Sequence, residues 1–387
     1  MKQGWRSKKL GDVCEVIAGQ SPKGEYYNSD GVGLPFYQGK KEFTGKYIGL
    51  PKKWTSVTTK EALKDDVLMS VRAPVGPVNF STQRICIGRG LAAIRTGSLI
   101  NKEFLYNFLV NHENQIVGNT GAVFNSINQT QIKSIPIPVP PLEEQKQIVA
   151  KLDQCFEAID KAKANAAKNL ENAKELFQSK LNEIFSQKGE GWVEVVLNEI
   201  GETQTGTTPP TKDISNYGDY IPFVKPPHFS PDGSINTGSS MLSKSGLEKG
   251  RLFQSNSVLM VCIGATIGKT GFSTVPVSSN QQINCLTPKK EYNPKLFYYG
   301  LISPFVQRQV IEIGSGSQAT LPIINKSKWS KLRINIPTER SVQDVIVQLL
   351  DGLKQKTQPL ESKYQQELNS LEELKKSILQ KAFKGEL

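Results

Sequence analysis

The run Ile135-Pro136-Ile137-Pro138-Val139-Pro140-Pro141-Leu142-Glu143-Glu144-Gln145 divides two kinds of sequence. Before it, short β-rich segments alternate with Gly, Pro, Asn and Ser. After it, from Leu142 to Gln187, there is neither glycine nor proline. In that stretch Val149, Leu152, Phe156, Ile159, Ala166, Leu170, Ala173, Phe177 and Ile184 recur at steps that are mostly three, four or seven residues, with Lys163 and Lys180 filling gaps. Such a heptad seam predicts one long amphipathic helix, roughly 65–70 Å at 1.5 Å per residue.

Working outward, the same design occurs a second time. Residues 135–140 are answered by Leu332-Arg333-Ile334-Asn335-Ile336-Pro337, at an offset of 197. Leu152-Asp153, Leu176 and Phe185 return as Leu350-Asp351, Leu374 and Phe383, all at 198. Further upstream, Gly4-Trp5 recurs as Gly191-Trp192 and Leu34-Pro35-Phe36 as Ile221-Pro222-Phe223, at 187. Val67-Leu68-Met69 returns as Val258-Leu259-Met260, and Gly76 as Gly268. Residues 37–66 and 224–257 show no such kinship, so the frame is duplicated while the loops have diverged.

The expected architecture is therefore α+β: two tandem mixed α/β domains, 1–141 and 191–338, separated by two long helices, 142–190 and 339–387. Each mixed domain holds a strand candidate (Val67–Val71; Val258–Ile263) and a short helix candidate (Asn101–His112; Asn293–Ser303). The second long helix should be kinked or broken near Pro359. A long seam cannot stay exposed to water, so the two helices are expected to pack as an antiparallel coiled coil. Equal helix lengths favour that intramolecular pair over homo-oligomerisation.

Charge points to a polyanion. Of the net +12, residues 1–141 carry +8 and 191–338 carry +5, while 142–190 carry −1 and 339–387 are neutral. Two positive bodies on neutral connectors suit a partner contacted twice. No apolar run reaches 18 residues, and the opening MKQGWRSKKLGD has no apolar core of a secretory signal. Five scattered cysteines without a C-x-x-C pair suggest reduced thiols in a cytoplasm, and with only two histidines a metal site is not expected.

The enzyme signatures fall short. Gly264-Ala265-Thr266-Ile267-Gly268-Lys269-Thr270 has three residues between its glycines where a phosphate-binding loop needs four, and its first-half counterpart is Gly76-Pro77-Val78. A turn between strands accounts for both. None of the Pro-Pro pairs (Pro140-Pro141, Pro209-Pro210, Pro226-Pro227) stands in the Asn/Asp-Pro-Pro-aromatic setting of adenine methyltransferases. Neither a dinucleotide loop nor a nucleophile elbow occurs. His228, in a Pro-rich loop, suits base contact better than catalysis.

With residues 135–145, the paired Gly-Trp openings and the closing Ser377-Ile378-Leu379-Gln380-Lys381-Ala382-Phe383-Lys384-Gly385-Glu386-Leu387, the whole chain resembles the DNA-specificity (S) subunits of type I restriction-modification enzymes. The second copy departs where Pro337-Thr338-Glu339-Arg340-Ser341-Val342-Gln343 replaces the Pro-Pro-Leu-Glu-Glu-Gln form. The resemblance implies two target recognition domains and a helical spacer that together read a bipartite, asymmetric DNA site. It also implies a non-catalytic subunit that binds two methyltransferase (M) subunits and, in the restriction form, two motor-nuclease (R) subunits. S-adenosylmethionine and ATP would belong to those partners, and this chain would hold no cofactor. Phosphate anchoring would fall to Lys23, Lys40, Lys41, Arg84 and Arg89 in the first domain, and to Lys225, Lys244 and Lys269 in the second. Base reading would use Tyr37, Gln38, Arg72, Gln83, Asn125 and Ser126, then His228, Gln281, Gln282, Asn284, Ser317, Gln318 and Thr320.

Overall fold

The computed structural model describes residues 4–113, 126–315 and 322–387. The chain forms two compact units, Met1–Asn165 with Glu367–Leu387, and Ala166–Gln366. Each long helix contributes one half to each unit.

In the first unit the central sheet is antiparallel, in the order Cys14–Ala18, Leu91–Thr96, Val67–Ser70, Val78–Phe80. The strand Val67–Ser70 is apolar throughout because both faces of the sheet are covered. Val67 and Met69 face a core with Ile94, Phe104 and Phe108, whereas Leu68 faces a second core with Tyr37, Ile85 and Leu91. A smaller sheet lies over that second core, in the order Tyr27–Asn28, Trp54–Thr55, Leu34–Tyr37, Ile85–Ile87, Glu61–Ala62.

The ribbon Arg6–Lys9 against Pro136–Val139 closes the domain. Pro136 and Pro138 fall at every second residue, so their missing N–H groups share one side of a two-stranded ribbon, which has no further neighbour to bond. Leu142–Phe185 then runs as one helix of 44 residues. Its Val149, Leu152 and Phe156 pack with Ile378, Leu379, Ala382 and Phe383 from the end of the second long helix, so the two helices are antiparallel here. Phe383 meets Phe104 and Phe108 edge to face, at ring centroid distances of 5.1 and 5.5 Å. Lys375 donates to Asp160 at 3.3 Å and lies 4.8 Å from the Phe156 ring, and Lys163 pairs with Glu372.

The second unit repeats this plan. Its sheet orders Gly201–Thr205, Ile283–Pro288, Ser257–Val261, Thr270–Ser273. Val258 and Met260 face the helices while Leu259 and Val261 face the smaller sheet's core. Trp192–Val196 pairs with Arg333–Pro337 as the closing ribbon. Leu181, Ile184 and Phe185 of the first long helix pack with Ile346, Val347 and Leu350 of the second. Every seam residue expected for the first long helix is buried or half-buried, whereas Leu374 of the second is exposed. The second long helix, Arg340–Lys384, continues through Pro359 as one helical segment, so the expected break is absent. The short helices stand at Lys102–His112 and Pro294–Ile302, capped by Asn101 and Asn293.

Each long helix starts on a buried amide. Gln145 Oε1 accepts from the Asn101 backbone N–H at 2.8 Å, and its Nε2 donates to the carbonyls of Leu99 and Pro140 at 2.9 and 2.8 Å. Gln343, the counterpart, accepts from Asn293 N–H and donates to the Pro337 carbonyl, both at 2.9 Å. The amide ties the helix start to the short helix's cap and to the ribbon, which fixes the mixed domain on the helix pair.

Candidate nucleic-acid interface

In each unit the same corner gathers polar side chains. The first central strand ends at a turn, Gly19-Gln20-Ser21-Pro22, whose Gly19 N–H donates to Leu91 O and whose Gln20 N–H donates to Ile87 O. Gly206-Thr207-Thr208-Pro209 repeats it, with Gly206 N–H to Ile283 O and Thr207 N–H to Ser279 O. Glycine is required at both turns: a Cβ would lie 2.2 Å from Gly88 O at Gly19 and 2.1 Å from Asn280 O at Gly206. The close approach brings the turn against the 88–90 or 280–282 hairpin and the strand end at 37–38 or 224–225. Gly88 N–H donates to Tyr37 O in the first unit, and Asn280 N–H to Val224 O in the second.

On the first corner Ser21 donates to Gln38 Oε1 at 2.9 Å and accepts from Arg89 N–H at 3.3 Å. Beside it a cleft of about 240 Å³ is lined by Gly19, Arg72, Arg89, Ser126, Asn128 and Gln129, among others. Arg72 and Ser126 face each other across a β-bridge. The Arg72 and Arg89 side chains are exposed, and neither forms an ion pair among the described residues. A second cleft of about 440 Å³ holds Tyr27, Phe36, Gln38, Lys41, Lys52 and Lys53. Tyr27 stacks on Phe36 at 4.7 Å and Lys53 lies 5.8 Å from the Tyr27 ring. Lys23, Lys41 and Gln83 are exposed and Lys40 is half-buried.

The remaining candidates of this unit are placed differently. Arg84 is exposed but bound to Glu61 at 2.6 Å, and it holds the Glu61 carboxyl below the usual range. Tyr37 is 1% exposed and donates to Gly49 O at 2.9 Å, so it is a core residue that no base can reach. Burial, with some help from Glu42, pushes its phenol up to about 12. Asn125 lies outside the described residues.

On the second corner Thr208 donates to Gln281 Oε1, and Asn280 Nδ2 donates to Gln282 Oε1 at 2.8 Å. Lys225 lies 5.4 Å from the Phe223 ring, and Lys244 5.4 Å from Tyr220. His228 Nδ1 accepts from Lys225 N–H at 3.3 Å. Burial first, then the Lys225 charge, depresses its pKa, so the ring is neutral near pH 7 and can accept or donate in hydrogen bonding. Asn284 is buried, its Oδ1 accepting from Thr205, and so belongs to the core rather than the surface. Lys269 stands away from this corner, in a cleft of about 1110 Å³ with Lys174, Asp232, Tyr298, Gln307 and Lys354. Ser317, Gln318 and Thr320 lie outside the described residues.

The loop 264–270 is a connection between the strands Ser257–Val261 and Thr270–Ser273, with Gly264 and Gly268 at φ +101° and +85°. Thr270 Oγ1 donates to Gly268 O at 2.8 Å. Among the described residues no cluster of three or more His, Cys, Asp or Glu is placed to hold a metal, and no helix is long and apolar enough to cross a membrane. All five cysteines are unpaired.

Lys52, Lys53, Asn128 and Gln129 escaped the sequence reading. The adjacent lysines in the divergent 37–66 segment were the available signal for the first two. For Asn128 and Gln129 there was none, because only the fold brings them to Arg72 and Arg89.

The family model described as type I restriction modification DNA specificity domain matches twice, at residues 2–169 and 189–370. A putative type I restriction enzyme MjaX specificity subunit of Methanocaldococcus jannaschii is 40% identical over 179 residues, covering 44% of this chain and 40% of that relative. The MjaIX specificity subunit of the same organism is 24% identical over 99% of this chain and 93% of its own length. Among solved structures, a chain from a study of complex assembly and conformational transition in a type I R-M system matches with TM-score 0.77 at 22% identity, covering 100% of this chain and 99% of the other.

Proposed function

Because this chain belongs to the type I restriction modification DNA specificity family, we propose that it is the subunit that reads a bipartite, asymmetric DNA site for a type I complex and scaffolds the catalytic subunits on it. The observation that carries this is the duplicated corner: one backbone frame, held by equivalent hydrogen bonds, presents Ser21, Gln38 and Arg89 in the first unit and Thr208, Lys225 and Gln281 in the second. The same frame with different polar groups is what two readers of unlike half-sites require.

In this reading Lys23, Lys40, Lys41, Lys52, Lys53, Lys225 and Lys244 anchor phosphates. Gln38, Arg72, Ser126, His228, Gln281 and Gln282 approach base edges, and the helix pair sets the number of unread base pairs between the half-sites. Two M subunits, and two R subunits in the restriction form, dock on the chain in the cytoplasm. They bring S-adenosylmethionine and ATP and methylate adenine N6, or translocate and cut DNA when the site is unmethylated.

Two measurements test this. With its M subunits, the chain's affinity for duplex DNA should fall steeply with salt, with a log–log slope of about −0.9 per neutralised phosphate; a flat response would contradict DNA reading. Purified chain alone should neither bind nor turn over labelled S-adenosylmethionine or ATP, and stoichiometric binding would contradict the non-catalytic assignment.

A further inference from the structure

The corner's quasi-equivalence can be followed to single positions. Superposing the hydrogen-bond frames aligns Leu91 with Ile283, Ile87 with Ser279 and Gly88 with Asn280, through the partners they share with Gly19 and Gly206, Gln20 and Thr207, and Tyr37 and Val224. Arg89 therefore occupies the place of Gln281. Both are exposed, and each is tied to the turn's hydroxyl residue: Arg89 through its backbone N–H to Ser21, Gln281 through its side chain to Thr208. The adjoining arm also differs. Arg72 bridges to Ser126 where the second unit bridges Ile263 to Ile323.

Two other arginines of the first unit are occupied. Arg84 is bound to Glu61, and Arg95 to Asp66 and Glu15. Arg72 and Arg89 share the 240 Å³ cleft without an acidic lining residue, among Ser126, Asn128 and Gln129. An exposed guanidinium left without a counter-ion in a polar cleft retains its planar fork of donors, which matches guanine O6 and N7. A glutamine amide at the same place matches adenine N6 and N7, its oxygen keeping a second lone pair beyond the Thr208 bond.

We infer that Arg89 and Gln281 are paired specificity-determining residues: Arg89 selects a guanine in the half-site read by the first unit, and Gln281 selects an adenine at the corresponding place in the other half-site. This rests on the reading of the chain as a DNA-specificity subunit. It assigns Arg89 to base recognition rather than to phosphate anchoring, with Arg72 as its neighbour in the same cleft.

The test is selection from a randomised duplex DNA library by the full chain assembled with its M subunits, followed by sequencing of the retained DNA. Arg89→Gln should replace guanine preference by adenine preference at one position of one half, with guanine discrimination falling roughly five- to hundredfold. Gln281→Arg should do the reverse at one position of the other half, and Arg84→Gln, a charge change at an ion-paired site, should leave the motif alone. Should the unaltered chain select no motif, the specificity reading itself falls. A wild-type motif that neither exchange moves, or that changes in both halves at once, overturns the paired assignment and leaves that reading standing. Arg89→Ala separates the roles: it removes the charge and the fork together, so a guanine preference retained in full beside a uniform loss of affinity would return Arg89 to phosphate anchoring and overturn the inference.

Discussion

At the scale of single residues, the buried glutamines bear more structural weight than any residue on the surface. Gln145 satisfies one backbone donor and two carbonyls that would otherwise be orphaned in an apolar setting. Replacing it with leucine keeps much of the volume but strands those groups, so Gln145→Leu should destabilise the fold by about 2 kcal/mol or more. A shift of the urea midpoint checks this, and an unchanged midpoint would contradict it. His112 makes a pH prediction. Its ring lies 4.3 Å from that of Phe108 at a tilt of 31°, and burial holds its pKa below the ordinary 6.5. As pH falls below about 7, the unfolded chain takes up this proton before the folded one does, so folding stability must decline. His112→Phe keeps an aromatic ring against Phe108 without the titration and should lose part of the decline between about pH 7.5 and 5.5 in urea melts; an identical decline would refute the assignment. Neither feature was legible from sequence. Tyr37 and Asn284 show the converse: both have a chemistry suited to bases, yet both side chains are buried, the Tyr37 hydroxyl donating to Gly49 O and the Asn284 Oδ1 accepting from Thr205. Residue type gives chemistry, but only the fold decides which way a side chain faces.

At the scale of elements, the heptad seam was the most legible part. Apolar residues at a helical period on a glycine- and proline-free stretch have one way to leave water, and Val149, Leu152, Phe156 and Phe177 take it. The strands Val67–Ser70 and Ser257–Val261 were legible as apolar runs, though not that each is covered on both faces. Of the expected kink or break near Pro359, the break does not occur: the helix runs on through the proline. Helical neighbours on both flanks and a buried Thr357 hold the segment helical. The proline still forfeits one intrahelical hydrogen bond and crowds the preceding turn. Pro359→Ala should therefore stabilise the protein by up to about 3 kcal/mol, read as a higher melting temperature with unchanged helical circular dichroism. Destabilisation would mean that the proline supplies a bend the coil needs.

At the scale of the whole molecule, the proposed function makes the duplicated domains two readers with a spacing to be measured. If the paired helices are the ruler, removing one heptad from each shortens the spacer by about 10.5 Å, or roughly three base pairs at 3.4 Å each. The gap between half-sites should shrink accordingly while both half-sites persist, and an unaltered gap would remove the helices' ruler role. The repeat, the charge blocks and the family resemblance were readable from the sequence because each is a one-dimensional pattern. The corner that joins Gly19 to Gly88 and Gly206 to Asn280 was not, since its members are separated by about 70 residues and meet only through backbone contacts. The central claim is that two unlike readers on one frame direct methylation by other chains to a split site. A base-resolution map of methylated adenines, by single-molecule sequencing of DNA from cells carrying the M subunits with and without this chain, tests it most directly. The expected result is one motif of two different halves at a fixed gap, present only with the chain; a continuous or palindromic motif, or methylation indifferent to the chain, would contradict it.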